Sequence, residues 1–173
     1  MPAPSPLVQT YLDLACSMGA AQALVVPTDQ IAFDPRTILK CMFGCEDWGR
    51  NHTCPSRPGA LSVFDYERVL RRYAYGILVH SHDKRKNQEI SYEIERRAYL
   101  DGFHLAFSMS DCGLCPECQG FKGRPCANPK KARPAFHSVG IDVFATAKRL
   151  GLPLHPLRSP EEEQNWYAFV WLE

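Results

Sequence analysis

Seven of the eight cysteines in this 173-residue chain fall into two short segments, and no other feature limits the fold as strongly. The first segment, CMFGCEDWGRNHTCP, sets Cys41, Cys45 and Cys54 at the spacing C-x3-C-x8-C. The second, DCGLCPECQGFKGRPCANP, sets Cys112, Cys115, Cys118 and Cys126 at C-x2-C-x2-C-x7-C, with Pro129 close behind. A chain of this length folds as one domain and buries roughly 70% of its unfolded surface, so it needs no covalent staples. The cysteines therefore call for a chemical explanation. Around them, residues 41–60 and 111–134 carry no hydrophobic period and are dense in Gly and Pro. Bare loops of that length are uncommon inside a compact domain unless they have a function. A bound metal centre would organise both.

The rest of the chain is periodic. Val8, Tyr11, Leu12 and Ala15 fall at helical spacing, and ALVVP and IAFDP read as two strands or a hairpin around Thr28 and Asp29. VFDYERVLRRY reads as a helix leading into the strand YGILVHSH. NQEISYEIERRAYLDG reads as a helix with Ile90 and Ile94 on one face, a Glu93–Arg97 pair one turn apart, and Gly102 at its end. FHLAFSMS is a strand running into the second cysteine group, GIDVFATAKRLG a helix closed by Gly151, and WYAFVWLE a buried terminal strand with Trp166 and Trp171 in the core. Helices and strands alternate, so the expected class is α/β or α+β. We expect a single domain over residues 1–173, built as a mixed sheet with flanking helices and two cysteine-rich cluster-binding loops. The Pro-rich residues 1–6 are expected to fray.

The N-terminus has no basic region followed by an apolar run, which argues against a secretory signal and a membrane span and for a cytoplasmic protein. In a reducing compartment clustered thiols bind metal more often than they form disulfides. The net charge of +1 offers no general attraction to nucleic acid. The run Lys84 to Lys86 reads as solvated surface or helix flank. The second group resembles the ferredoxin run C-x2-C-x2-C-x3-C-P, with a longer last gap and a displaced proline. A single zinc ion prefers two separated knuckles, whereas three cysteines in seven residues suit the wider corners of a [4Fe-4S] cubane. Zinc remains the rival. Lys122, Arg124, Lys130, Lys131 and Arg133 flank the group, either as a solvated loop or to offset thiolate charge and dock an acidic partner.

FGCEDWGRNHTCP, CGLCPECQGFKGRPCANPKKARP and GIDVFATAKRLGL together resemble a family of small cysteine-rich proteins described only as predicted metal-binding, a domain of unknown function common in anaerobic bacteria and archaea. The resemblance spans roughly residues 38–172 and implies metal binding without implying a reaction. One position departs from it. PAFHSVGIDV carries His137 where the family resemblance leads one to expect a glutamate.

Cys41, Cys45 and Cys54 lack a fourth thiolate of their own. Cys16, His52, Asp47 and a non-protein ligand are the candidates. Cys16 lies four residues from Leu12 and eight from Val8, which reads as a buried helical stripe and a core cysteine. His52 is two residues from Cys54, and Asp47 reads as a turn residue. The remaining option is an open metal position, the mark that separates catalytic from structural sites. His80 and His82 alternate on a strand and form a weak metal pair at best. The leading expectation is thus two [4Fe-4S] clusters serving electron transfer or reductive activation of a redox partner protein. The alternatives are an enzyme whose open cluster takes a small molecule, and a zinc-organised interaction module.

Overall fold

The computed structural model describes residues 5–173. Four strands, β1 (Gln22–Pro27), β2 (Tyr75–Ser81), β3 (Phe107–Met109) and β4 (Trp166–Trp171), form one sheet in the order β1-β2-β4-β3. Five helices flank it: α1 (Pro6–Ser17), α2 (Thr37–Gly44), α3 (Val63–Leu70), α4 (Lys84–Leu100) and α5 (Val143–Leu150). The class is the expected combination of helices with one sheet. Every strand pair is antiparallel, however, where a mixed sheet was expected.

Strand alternation sorts the core into two layers. Ile77, Val79, Ala168 and Val170 face α1 and α4, whose buried stripes are Val8, Tyr11 and Ala15 and Ile90, Ile94 and Ala98. Leu78, Phe169 and Trp171 face the opposite way, onto Leu70 of α3, Ala147 of α5, and Phe136 and Val139 of a short 3-10 turn. The helix α2 rests on that same turn, on the second side of the sheet.

Several local expectations change. IAFDP is not a strand: Pro27 ends β1, a 3-10 turn takes Thr28–Gln30, and only Phe33 bridges, to Ile141. Residues 37–44 form α2 despite the absence of a clear apolar stripe, and none of them is buried. Glu93 pairs with Arg96 at 3.1 Å, and Arg97 turns instead to Asp101 at 2.9 Å. Trp171 is fully buried, but Trp166 is only partly covered. The expected fraying of residues 1–6 lies, for residues 1–4, outside the described residues. Ser5 caps α1 by accepting from the Val8 amide at 3.3 Å, and Pro6 is its first residue.

Both cysteine segments are long excursions between paired strands. Residues 28–74 join β1 to β2 and carry the first, and residues 110–165 join β3 to β4 and carry the second. The second is closed at its base, where the Ser110 amide donates to the Pro134 carbonyl at 3.0 Å.

Candidate metal centre

Cys41 lies in the last turn of α2, and Cys45 is its C-cap in an extended conformation, with the Cys45 amide donating to the Cys41 carbonyl at 3.2 Å as the helix ends. From Cys45 the chain advances through consecutive turns, with Trp48 N bonding Cys45 O, Arg50 N bonding Asp47 O, Cys54 N bonding Asn51 O, and Arg57 N bonding Cys54 O. This aperiodic stretch therefore has a backbone ladder of its own. Burial raises the Cys41 thiol above its ordinary value, and the negative charge of Cys45, Cys54 and Asp111 adds to the shift. Cys45 and Cys54 thus each lie within electrostatic reach of Cys41. The Ser56 hydroxyl accepts from the Gly49 amide at 2.6 Å and stands 2.7 Å from the Cys54 sulfur, placed to donate to a thiolate.

Cys112, Cys115, Cys118 and Cys126 line one cavity of about 390 Å³. Asn128 serves two of them. Its side-chain Nδ2 donates to Cys115 Sγ at 3.1 Å and its backbone N to Cys126 Sγ at 3.4 Å. Such N–H···S bonds are of the kind that orient ligating sulfurs. Lys84 and Arg85, from the first turn of α4, line the same cavity. Their charged ends turn elsewhere, Arg85 Nε to Glu89 at 3.2 Å and Lys84 Nζ over the Trp166 ring at 5.5 Å, so the Lys84 to Lys86 run is the helix flank its sequence suggests.

The flanking cations of the second segment divide by role. Arg133 is 14% exposed and pairs with Glu95, itself 13% exposed, and Arg133 Nε donates to Glu95 Oε2 at 2.9 Å. The same carboxylate accepts from the Ser108 amide at 2.6 Å and the Ser108 hydroxyl at 2.5 Å, so α4, β3 and the end of the loop share one knot. Lys122 pairs with Glu117, and Lys131 stands 5.7 Å over the Tyr92 ring. Arg124 contributes through its carbonyl.

That carbonyl accepts from His52 Nε2 at 2.6 Å and joins the two segments. Arg50 stacks on the Phe121 ring at 4.7 Å, and a Cβ added at Gly120 would collide with the Arg50 carbonyl. The second segment thus needs a glycine where the first crosses it. Cys54 and Cys126 line a shared cavity of about 270 Å³ together with His52 and Phe107, so the two cysteine groups are neighbours.

The fourth-ligand candidates are now distinguishable by position. Cys16 is exposed, not a core residue, because the buried stripe of α1 runs through Val8, Tyr11 and Ala15 and leaves the next position outside. It also sits across the sheet from α2. His52 spends Nε2 on Arg124 and lines the cavities of 390 and 270 Å³. Asp47 is a turn residue whose carbonyl accepts from Arg50 and Asn51. Among the described residues, no three His, Cys, Asp or Glu side chains already stand in the arrangement that grips one ion. The cysteines ring cavities instead. His80 is buried, stacks on Tyr167 at 4.8 Å and bonds Asn165 Oδ1 at 2.7 Å. It is a core residue rather than a metal ligand.

A family model described as Predicted metal-binding protein (DUF2284) matches residues 24–172. The chain belongs to that family. The match runs from β1 to the end of β4, and so takes in both cysteine segments of this predicted metal-binding protein. Comparison with curated proteins returned no match, and neither did comparison with solved structures. No described helix is long and apolar enough to cross a membrane.

Sequence reasoning missed three residues of the site. Asn128, Ser56 and Gly120 lie inside the two segments, yet nothing in their spacing distinguishes a donor to sulfur from an ordinary turn residue. His137, conspicuous only by the family resemblance, stands with Nδ1 at 3.6 Å from Asp111 Oδ2. Both line a further cavity of about 400 Å³ beside Cys41 and Cys45, together with Trp166.

Proposed function

We propose that this is a cytoplasmic iron–sulfur protein with two neighbouring centres, serving electron transfer or reductive activation of a partner protein. In this reading Cys112, Cys115, Cys118 and Cys126 hold one [4Fe-4S] cluster. Cys41, Cys45 and Cys54 hold a second, with one metal position left to an outside ligand. The observation that carries the proposal is the cavity shared by Cys54 and Cys126, which puts a three-thiolate group beside a four-thiolate one.

The donor set fits the group. Seven soft thiolates suit iron–sulfur chemistry. The Asn128 and Ser56 bonds are of the kind that ligating sulfurs accept. Clusters of this type supply one-electron chemistry, and their potentials follow charge, hydrogen bonding and exposure. The chain's own contribution is to clasp the two loops together through His52 and Gly120, and to keep Cys16 on the far side of the sheet. One observation favours a second reading, an enzyme acting on a small molecule at the first centre: Cys41 and Cys45 line a cavity of about 400 Å³.

Metal and sulfide analysis of anaerobically purified protein tests the proposal. About eight iron and eight acid-labile sulfide per chain are expected. Cys16→Ser and His52→Ala should keep full iron, and added cyanide should perturb the spectrum of one centre only. Two zinc without sulfide would establish the zinc-organised interaction module instead. Loss of first-site iron in Cys16→Ser, or in His52→Ala with the second centre intact, would close the open position and leave simple electron transfer.

A further inference from the structure

Asp111 stands at the root of the second cysteine segment, between Cys112 and Ser110, whose amide closes the loop base on the Pro134 carbonyl at 3.0 Å. These adjacent residues serve different cavities. Cys112 lines the 390 Å³ cavity of the second group, whereas Asp111 lines the 400 Å³ cavity of the first, together with Cys41 and Cys45. The fold brings them together because α2 rests on the 3-10 turn of Phe136 and His137, and His137 faces Asp111.

The protein itself does little to hold that carboxylate. Its side chain is 21% exposed, and His137 Nδ1 stands 3.6 Å from Oδ2, beyond hydrogen-bond length. Among the described residues no lysine or arginine pairs with it, although Lys40 lines the same cavity. The other ionisable groups on the wall include Cys41, Cys45 and Asp142, each negative when ionised. Burial first, then Cys45, Cys54 and Asp111 in turn, raise the Cys41 thiol, so the charge of Asp111 is felt at that sulfur. A carboxylate largely buried among other anions costs free energy unless a cation offsets it. Metal bound by the cysteines supplies that cation.

We propose that Asp111 is the resting fourth ligand of the first centre: its carboxylate takes the metal position that Cys41, Cys45 and Cys54 leave, and yields it to an outside ligand. A hard carboxylate suits such iron less well than a soft thiolate does, so the position is closed yet exchangeable. The exchange is a substitution in which the lone pair of the outside ligand enters as a carboxylate oxygen leaves, and no electron is transferred. The cavity of about 400 Å³ beside Asp111 gives the incoming molecule room, and the released carboxylate stays beside His137. The proposal deepens the open-centre reading above and rests on it for the cluster itself.

The full-length chain, reconstituted anaerobically with iron and sulfide, is titrated with cyanide while absorbance and electron paramagnetic resonance are followed and iron is counted in parallel. Asp111→Ala should bind cyanide about tenfold more tightly than wild type, the equivalent of 1.4 kcal/mol, because no carboxylate is displaced. Asp111→Cys should keep full iron and lose the response, because a thiolate does not give way. Asp142→Ser removes the other carboxylate of the cavity while keeping a side chain that can cap α5, and should leave cyanide affinity as in wild type. If Asp111→Ala loses iron that Asp111→Cys retains, the ligation stands, since only a replacement ligand restores the site. Equal affinity in wild type and Asp111→Ala, an equal gain in Asp142→Ser, or an undiminished response in Asp111→Cys would each overturn the proposal and leave the open-centre reading in place. If wild type ignores cyanide while Asp111→Ala responds, Asp111 is the ligand and the open-centre reading fails. Silence in both would overturn the two together.

Discussion

Replacing Arg133 by alanine tests how the second cysteine segment is fastened. Arg133 and Glu95 are both more than four-fifths buried, and the pair joins the end of the 111–134 loop to α4. Truncating one partner of a buried pair strands the other charge and costs about 3–5 kcal/mol. Here the Ser108 amide and hydroxyl still hold Glu95 Oε2, so the lower end, about 3 kcal/mol, applies. For a chain of this size that corresponds to a fall of about 6–12 °C in Tm. The measurement is urea and thermal unfolding of the reduced, metal-free protein followed by circular dichroism. The double variant Glu95→Gln/Arg133→Met removes both charges and should recover much of the loss, giving a clear coupling energy in the cycle. A loss below about 1 kcal/mol for Arg133→Ala would class the pair with ordinary surface ion pairs and refute the knot. Because the loop base closes at Ser110 and Pro134, the variant should also bind metal more weakly.

Three further outcomes follow from the site. Gly120→Ala should part the two loops, since its Cβ meets the Arg50 carbonyl; increased proteolysis at residues 45–60 and 112–126 would show it, and unchanged protection would mean the loops are not clasped there. Asn128→Ala removes the bond to Cys115 while keeping the backbone bond to Cys126. In the iron–sulfur reading proposed above, a bond worth about 1 kcal/mol would favour the more negative, reduced cluster, so its loss should lower one midpoint potential by about 40 mV in a redox titration; a rise would contradict the assignment. Burial holds the His80 imidazole below its ordinary value, its bond to Asn165 opposing the shift only in part, so protons bind the unfolded chain more strongly. Stability should be complete above about pH 6.5 and decline as pH falls below it, and His80→Gln should flatten that decline in urea midpoints. A profile unchanged by the substitution would show that other groups set it.

Much of this protein is legible along the chain because the responsible forces are local. Apolar spacing marks α1, α4 and α5, and the Gly151 position at φ +68° ends α5 as its sequence implies. Aromatic and β-branched runs mark β2 and β4. The seven clustered cysteines stand out because soft ligands in short spacing are an unmistakable local pattern, and all seven lie within the residues matched by the family model. The failures are equally physical. IAFDP looks like a strand in isolation, but Pro27 and the following 3-10 turn carry it off the sheet edge. The helix α2 has no buried face, so periodicity could not reveal it, although it carries Cys41 and ends at Cys45. Cys16 matches a helical stripe in sequence and lies outside it in space, since the stripe width depends on how α1 sits against α4 and the sheet.

What the sequence determined by itself is the inventory: two groups of cysteines, one of three and one of four, on a domain of helices and strands. Which groups meet was decided only by tertiary structure. The antiparallel order β1-β2-β4-β3 puts the two excursions side by side at β3. It also sends Cys16 to the other face and brings His137, Trp166 and Lys40 around Cys41. Those contacts span tens of residues of chain, and they depend on strand pairing and layer packing that no local pattern encodes.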